Sequence, residues 1–471
     1  MLSVPDIREC AVLRIPDSFE RHCDGITRRT FLHVGALGFG GLNLSQILAA
    51  ESANGARRSS SVDSEKVHSH KSVIMVYMSG GPPQMDTFDM KPDAPREIRG
   101  EFVPIDTNVP GIQVCEHLPR TARLMDKIAV VRSVTGMPPK HNPYHLYTGR
   151  DPGLQPGGGW PNMGAVLSHL EGPVNRSVPA SMSLMRPQKH PPFGDPGSSG
   201  FLGQAHSPFL PVSGRMMEDM TLQGISMRRL SDRRALLSSL DAFRRRVDQN
   251  PNNGDFDTCT QQALAILTGS RLVHALDISD EDPRTLAMYG NTVPKLCHIS
   301  DNTRLAPGST RDFLVARRLV EAGARCVTLT LGQWDTHSFN HRDCRNTIPV
   351  FDQGLAALVQ DLHDRGLDKD VSVVCWGEFG RTPKINALNG RDHWLDSMSV
   401  VLAGGGMRTG QVIGATDRHA GQVTERPIHY QQILATLYHQ LGVDPIHTTV
   451  TDRSGRPHYL MEHSDPIQEL I

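Results

Sequence analysis

Short apolar runs alternate with stretches of helical spacing along this chain, and that rhythm constrains the fold more than any other feature. "SVIMVYM" (Ser72 to Met78) stops at Gly80-Gly81-Pro82-Pro83, and "KIAVVRSV" (Lys127 to Val134) stops at a second Gly/Pro loop. Runs this short read as buried strands. Farther on, "RDFLVARRLVEAG" (Arg311 to Gly323) sets apolar residues at helical spacing before a glycine stop, and "CVTLTL" (Cys326 to Leu331) follows as a strand. Ile348 to Leu362 reads as a helix, "VSVVCW" as a strand, "MSVVLAG" (Met398 to Gly404) as another, and "YQQILATLYHQLG" (Tyr430 to Gly442) as a closing helix. Strands joined by helices imply an α/β protein, with a central, mostly parallel sheet flanked by helices. Residues 150–215 are dominated by Gly, Pro and Ser and predict irregular surface structure. Residues 216–290 read as a helical insertion, because Leu230, Leu236, Leu237, Leu240 and Phe243 recur among arginines and a second helical stretch runs near Gln261 to Ala275.

The N-terminus carries a different signal. In "TRRTFLHVGALGFGGLNLSQILAA" (Thr27 to Ala50), Arg28 and Arg29 precede a Phe-Leu pair, a Gly-rich apolar segment and small residues. This pattern resembles a twin-arginine export signal. A membrane anchor and an amphipathic helix are the alternatives, and the glycines weaken both. Residues 1–50 are therefore expected to be the signal with a long leader, 51–70 a Ser-, Arg- and His-rich linker, and 71–471 one domain. Export would place the protein in the periplasm or outside the cell. No later run of about 18 apolar residues occurs, so no membrane span is expected once the leader is removed. A formal net charge of -1 and 5% aromatic residues give neither the basic field nor the stacking platform that a nucleic-acid partner would need. None of the eight cysteines forms a CxxC pair, which argues against a structural zinc motif.

Four of the strand ends carry residues of metal-binding type. The first leads to Asp86 and Asp89, the second to His141 and His145, and the third to Asp335, His337 and His341. The fourth leads to Glu378 and Arg381 and then to Asp392 and His393. Ligands of open α/β sheets bind outside the carboxyl ends of the strands. Mixed carboxylate and imidazole donors suit zinc, manganese or iron, whereas calcium prefers oxygen alone. Asp335 and His337 are two apart and face one side in extended chain. Taken singly, each residue has a plainer reading, an Asx-turn for an aspartate or a hydrogen-bonded histidine; recurrence at successive strand ends favours a metal site. The fork of Arg381 suits a tetrahedral oxyanion, or else a structural salt bridge. Trp334 and Trp394 flank these residues, and packing is favoured over sugar stacking for both.

The leader, "SGGPPQMDTFDMKP", "HNPYHLYTGR", "GFLGQAHSPF", "ARRLVEAGARCVTLTLGQWDTH", "WGEFGRTPKIN", "GRDHW" and "LATLYHQLGVD" together resemble a large family of exported bacterial proteins, a domain of unknown function often described as sulfatase-like. That family is similar to the alkaline phosphatase and sulfatase superfamily. The resemblance, from Thr27 to the C-terminus, implies an alkaline phosphatase-like layered fold and one or two divalent metal ions (zinc, manganese or calcium). It also implies cleavage of phosphate or sulfate esters, on small molecules or polysaccharides.

Carried over residue by residue, the resemblance makes Asp335 and His337 the earlier ligand pair, although their spacing is shorter than in the phosphatases. Asp86 would be the first-strand carboxylate, several residues beyond its strand. Glu378 takes the place of the later aspartate. Phe379 takes that of its histidine and cannot bind metal; His393, beside Asp392, is the replacement. The nucleophile departs further. Sulfatases carry Cys-x-Pro-x-Arg shortly before an "LTGR"-like end, whereas counting back from Tyr147 to Arg150 puts Pro139 at the cysteine place and Pro143 at the arginine place. A formylglycine sulfatase of the usual kind is not expected. His141 or His145 would serve as ligand, acid/base or nucleophile, or an ion-activated water would attack. The alternative is a non-catalytic exported binding or scaffold protein with a cell-envelope partner; a third reading is a sulfatase with an unusual nucleophile.

Overall fold

The structure, a computed structural model, describes residues 70–471 apart from positions 140, 154, 187–190, 212–252, 295–307 and 333. The expected export signal, the linker up to residue 69 and the first part of the expected insertion (216–252) lie outside the described residues.

Eight strands form one sheet: β1 (Ser72–Tyr77), β2 (Ile128–Thr135), β3 (Ser181–Ser183), β4 (Cys326–Thr330), β5 (Val371–Trp376), β8 (Met398–Gly404), β9 (Gln411–Ile413) and β10 (Ile428–His429). A small hairpin of β6 (Gly380–Arg381) and β7 (His393–Trp394) stands apart from it. The spatial order is β9-β2-β8-β5-β1-β4-β3, with β10 also on β2. Only β8 runs against its sheet neighbours. The layered α/β class with a mostly parallel sheet, expected from the βα rhythm, is the one found. β1 is central: Val73 lies opposite Cys326 of β4 on one side and Ser372 of β5 on the other. All its residues are buried, as a parallel strand covered on both faces requires.

The pleat sends alternate residues into two apolar layers. Ile74, Val76, Val327 and Val373 pack with Leu314, Phe351 and Leu355, from helices α3 (Thr310–Ala322) and α4 (Asn340–Asp364). Val73, Met75, Tyr77 and Val374 pack with Leu167, Ile433 and Leu437, from α2 (Met163–Leu170) and α5 (Tyr430–Gln440). Helix α1 (Tyr144–Thr148) is a single short turn after β2. Three further helices, Asn253–Thr268, Arg271–Leu276 and Pro283–Tyr289, occupy the described remainder of 216–290.

Two expectations need correction. Residues 150–215 are not wholly irregular: Asn162 accepts the Ala165 N–H at 2.7 Å and caps α2, and β3 adds an edge to the sheet beside β4. Helix α4 begins at Asn340 rather than Ile348, with Pro349 inside it. Its first turns look polar in sequence, yet Asn340, His341, Asp343 and Thr347 are buried.

One buried ion network ties α3 to α4. Arg317 is 1% exposed and lies 2.6 Å from Glu281 and 2.7 Å from Asp361, and Glu321 meets it from a more exposed position. Removing one partner of a buried pair strands the others without compensation. Arg317→Met should therefore destabilise the fold by about 3–5 kcal/mol, and Glu321→Ala by less than about 1 kcal/mol. Urea unfolding of the two variants measures the difference, and equal losses would contradict this account of the network.

Candidate metal centre

The site is built where β1, β4 and β5 end. Glu378 follows β5 by two residues and is fully buried. Its carboxylate turns back towards the β1 loop, where the Gly80 N–H donates to both oxygens at 3.0 Å, and Oε1 lies 2.7 Å from His141 Nδ1. This approach requires glycine at position 80: φ is +102°, and a Cβ there would stand 2.3 Å from the Asp335 backbone nitrogen.

Arg381, on β6, joins the same loops. Its guanidinium is fully buried. Nε donates to the Gly81 carbonyl at 3.1 Å, Nη1 to the Arg391 carbonyl at 2.9 Å, and Nη2 to the Gly80 carbonyl and to Asp335 Oδ1 at 2.6 Å. The hairpin sets Arg381 opposite His393. The connecting loop is folded around Asn386, whose Oδ1 accepts the Leu388 and Gly390 N–H groups, each at 2.9 Å, while Nδ2 donates to the His337 carbonyl at 3.0 Å.

Three imidazoles then converge on Asp335. Its Oδ1 lies 3.1 Å from His337 Nε2, 3.4 Å from His393 Nε2 and 3.6 Å from His141 Nε2. Ligand atoms of His141, Asp335, His337 and His393 all lie within 4.8 Å of one another. His337 Nδ1 is 2.7 Å from Asp392 Oδ1, and its Nε2 is 3.0 Å from His393 Nε2. Carboxylates behind the Nδ1 atoms of His141 and His337 fix those ring protons outward, which leaves the Nε2 lone pairs facing in when the rings are neutral. At 3.0 Å the two Nε2 atoms of His337 and His393 need a proton on one of them, or a cation, between them.

The electrostatics agree. Burial alone would raise the Asp335 carboxyl, but hydrogen bonds from His337 and His393 and the charge of Arg381 hold it well below the usual range. The hydrogen bond to Asp335 raises His337, aided by Asp392 against the opposing effect of burial. Burial lowers His393. The donor set fits a divalent metal ion of the zinc or manganese type.

The remaining expected site residues sit elsewhere or act one layer out. Asp86, expected as a ligand, is buried with both oxygens engaged: Arg391 Nε at 2.7 Å and Asn340 Nδ2 at 2.7 Å meet Oδ2, and Arg391 Nη2 at 2.9 Å meets Oδ1. Burial pushes its carboxyl up, but Arg391 outweighs that and brings it down to about 2. Glu378 and Asp392, also expected as ligands, instead back His141 and His337. Arg381, expected to hold an oxyanion, has its fork directed at three carbonyls and Asp335. His145, expected beside His141 in catalysis, lies inside α1 with Nε2 at 3.0 Å from the Glu378 carbonyl. A carbonyl only accepts, so Nε2 carries the proton. Trp334 is fully buried and donates to the Leu331 carbonyl, which is packing. Phe379 forms an apolar wall, its ring centre 4.3 Å from that of His393. Arg391 was missed as a structural partner of Asp86, although it stands in "GRDHW".

The family profile described as "Protein of unknown function (DUF1501)" matches residues 70–471. The chain belongs to that family. No curated protein matches its sequence. Among solved structures, the PsFucS1 sulfatase from Pseudoalteromonas sp. is similar at 11% identity and a TM-score of 0.36, over 91% of this chain and 75% of that one. Ps i-CgsB in complex with k-i-k-neocarrahexaose is similar at 11% identity and 0.34, over 79% and 72%. The lipoteichoic acid synthase LtaP from Listeria monocytogenes is similar at 10% identity and 0.31, over 83% and 74%. Likenesses this low carry nothing about substrate or mechanism.

His145 makes stability depend on pH. Burial lowers it to about 4, below its ordinary value near 6.5. Between these values the unfolded chain binds the proton and the folded chain does not, so stability falls as pH drops through this window. The loss attributable to this one group is roughly 3 kcal/mol when complete. His145→Gln keeps an N–H for the Glu378 carbonyl and cannot titrate. Urea unfolding from pH 7 to pH 4 should therefore give a shallower profile in the variant, and parallel profiles would show that His145 is not the titrating group.

Proposed function

We propose that this protein is an exported, metal-dependent hydrolase of phosphate or sulfate esters. The observation that carries the reading is the convergence of His141, Asp335 and His337, from loops after parallel strands, with His393 of the β6–β7 hairpin, two of the imidazoles being backed by carboxylates. His141, Asp335, His337 and His393 would hold a divalent ion, which would supply a Lewis acid and lower the pKa of water. Zinc or manganese suits this nitrogen-rich set better than calcium.

The chain's own groups prepare the place. Glu378 and Asp392 orient His141 and His337, and Arg381 steadies Asp335 against three neighbouring imidazoles. Phe379 and Phe193 lie against the His141 ring, with centres 5.0 and 4.9 Å away, and limit water on that side. Export is supported by the arginine pair Arg28-Arg29 and the segment after it. Among the described residues no helix is long and apolar enough to cross a membrane.

A second reading, a non-catalytic binding protein on the same fold, draws on Pro139 at the sulfatase cysteine place, Pro143 at its arginine place and an Arg381 fork already occupied within the protein. Elemental analysis of the full chain, purified without a histidine tag, separates the two at their first step. The hydrolase reading expects at least one divalent ion per chain in the parent and its loss in His337→Ala. Asp392→Asn should weaken the metal by about 10- to 100-fold, since it removes only the group behind a ligand. A well-folded parent that takes up neither zinc nor manganese would end the hydrolase reading.

A further inference from the structure

A cleft distinct from the four donors opens between the segment after α1 and the C-terminal hairpin of Thr449–Thr451 and Pro457–Tyr459. It encloses about 860 Å³, within the span of ordinary ligand sites, about 300–1,000 Å³. Arg150, Trp160, Ile446, Arg456, Tyr459 and Glu462 line it.

Its walls are aromatic and cationic together. The Arg150 guanidinium lies over the Trp160 ring, 4.3 Å from its centre, and the His458 ring meets Trp160 edge-on at 5.0 Å. Strand alternation turns His458 inward and Tyr459 outward, and Tyr459 is 60% exposed. Ile446 is also exposed, as is Arg456. Arg150 is only partly engaged by the fold. Nη2 donates to the Tyr459 carbonyl, Nη1 has Glu462 at 3.4 Å on a side chain that is 78% exposed, and the buried Nε has no acceptor among the described residues. An incoming anion can replace so weak a partner as Glu462. Exposed large apolar groups rimmed by charge mark binding surfaces. Tyrosine and tryptophan present rigid faces to a ring, and arginine recognises sulfate, phosphate and carboxylate.

Helix α1 joins this cleft to the metal centre. His141 precedes it and Arg150 follows it. Within it, His145 is pinned to Glu378, and the Tyr144 hydroxyl accepts the Trp160 N–H at 2.9 Å. The helix and its flanks span on the order of 25 Å at most. A second segment follows the same path: Phe193 lies against His141, and Phe201 lies against Trp160 and His458.

We infer that the cleft binds an anionic sugar chain, with a ring against Tyr459 and acidic groups on Arg150 and Arg456, in a position that delivers the chain's continuation to the metal centre. The delivery rests on the hydrolase reading; the binding does not. Calorimetric titration of the full chain tests it with a heparin-derived oligosaccharide, an oligogalacturonate, a neutral cello-oligosaccharide and inorganic sulfate. At least one acidic oligosaccharide should bind the parent; the neutral chain and free sulfate should not. Binding of the heparin fragment alone assigns sulfate as the recognised group, of the oligogalacturonate alone carboxylate, and of both their shared charge. Tyr459→Ala and Arg456→Gln, at exposed positions, should each weaken binding by about tenfold, a difference of about 1.4 kcal/mol. His337→Ala should bind the sugar as the parent does. Failure of every acidic sugar to bind the parent, or undiminished binding in the double variant, would overturn the inference. Sugar binding by a chain that takes up no metal would uphold the cleft and refute the hydrolase; metal without sugar binding would do the reverse.

Discussion

The candidate centre depends on one buried charge. Arg381 has no exposed surface, and a guanidinium in such a place is tolerated only when its N–H groups are paired. Its partners come from three separate stretches of chain: the loop after β1, the end of β4 and the turn before β7. While the arginine is satisfied, those stretches are held in register, and Asp335 and His393 stand together. Arg391 does the same one layer deeper. It joins Asp86 to the Thr382, Pro383 and Ile98 carbonyls and so anchors the loop that carries Asp392.

The charge balance around Asp335 has a direction. Asp335 and Asp392 are both held below the usual carboxylate range and so ionised, and Arg381 is the one fixed cation among their direct partners described above. The surplus is negative. Raising His337 towards its charged form relieves part of it, and a divalent cation would relieve more. The same surplus favours a cation at the centre over an anion.

How much of this was legible in the sequence follows from the kind of interaction involved. Central parallel strands are buried on both faces, so β1, β4 and β5 appear as short, uncharged and largely apolar runs. β3, β9 and β10 are two or three residues long and vanish among glycines and prolines. Strand ends pointed to Asp335, His337 and His393, since position along a strand survives in sequence. The division of labour between His141 and His145 did not, because four residues separate a loop that faces the cluster from a helix that faces away. Asp86 was misread because its partner Arg391 is 305 positions distant. For Arg381 the salt-bridge alternative is the one seen, with Asp335; its other partners are backbone carbonyls, which every residue has and no sequence advertises.

The central place of β1 has a consequence in time. Gly80 and Glu378, which meet through the hydrogen bonds behind His141, are 298 positions apart. At about 5–20 residues per second, the ribosome makes the first of them roughly 15–60 s before the second. Within that interval β1 gains its neighbours late and in order, β4 first and β5 just before Glu378. The centre cannot be laid down piece by piece beside the ribosome; its four donors stand together only after the segment carrying His393 has been made.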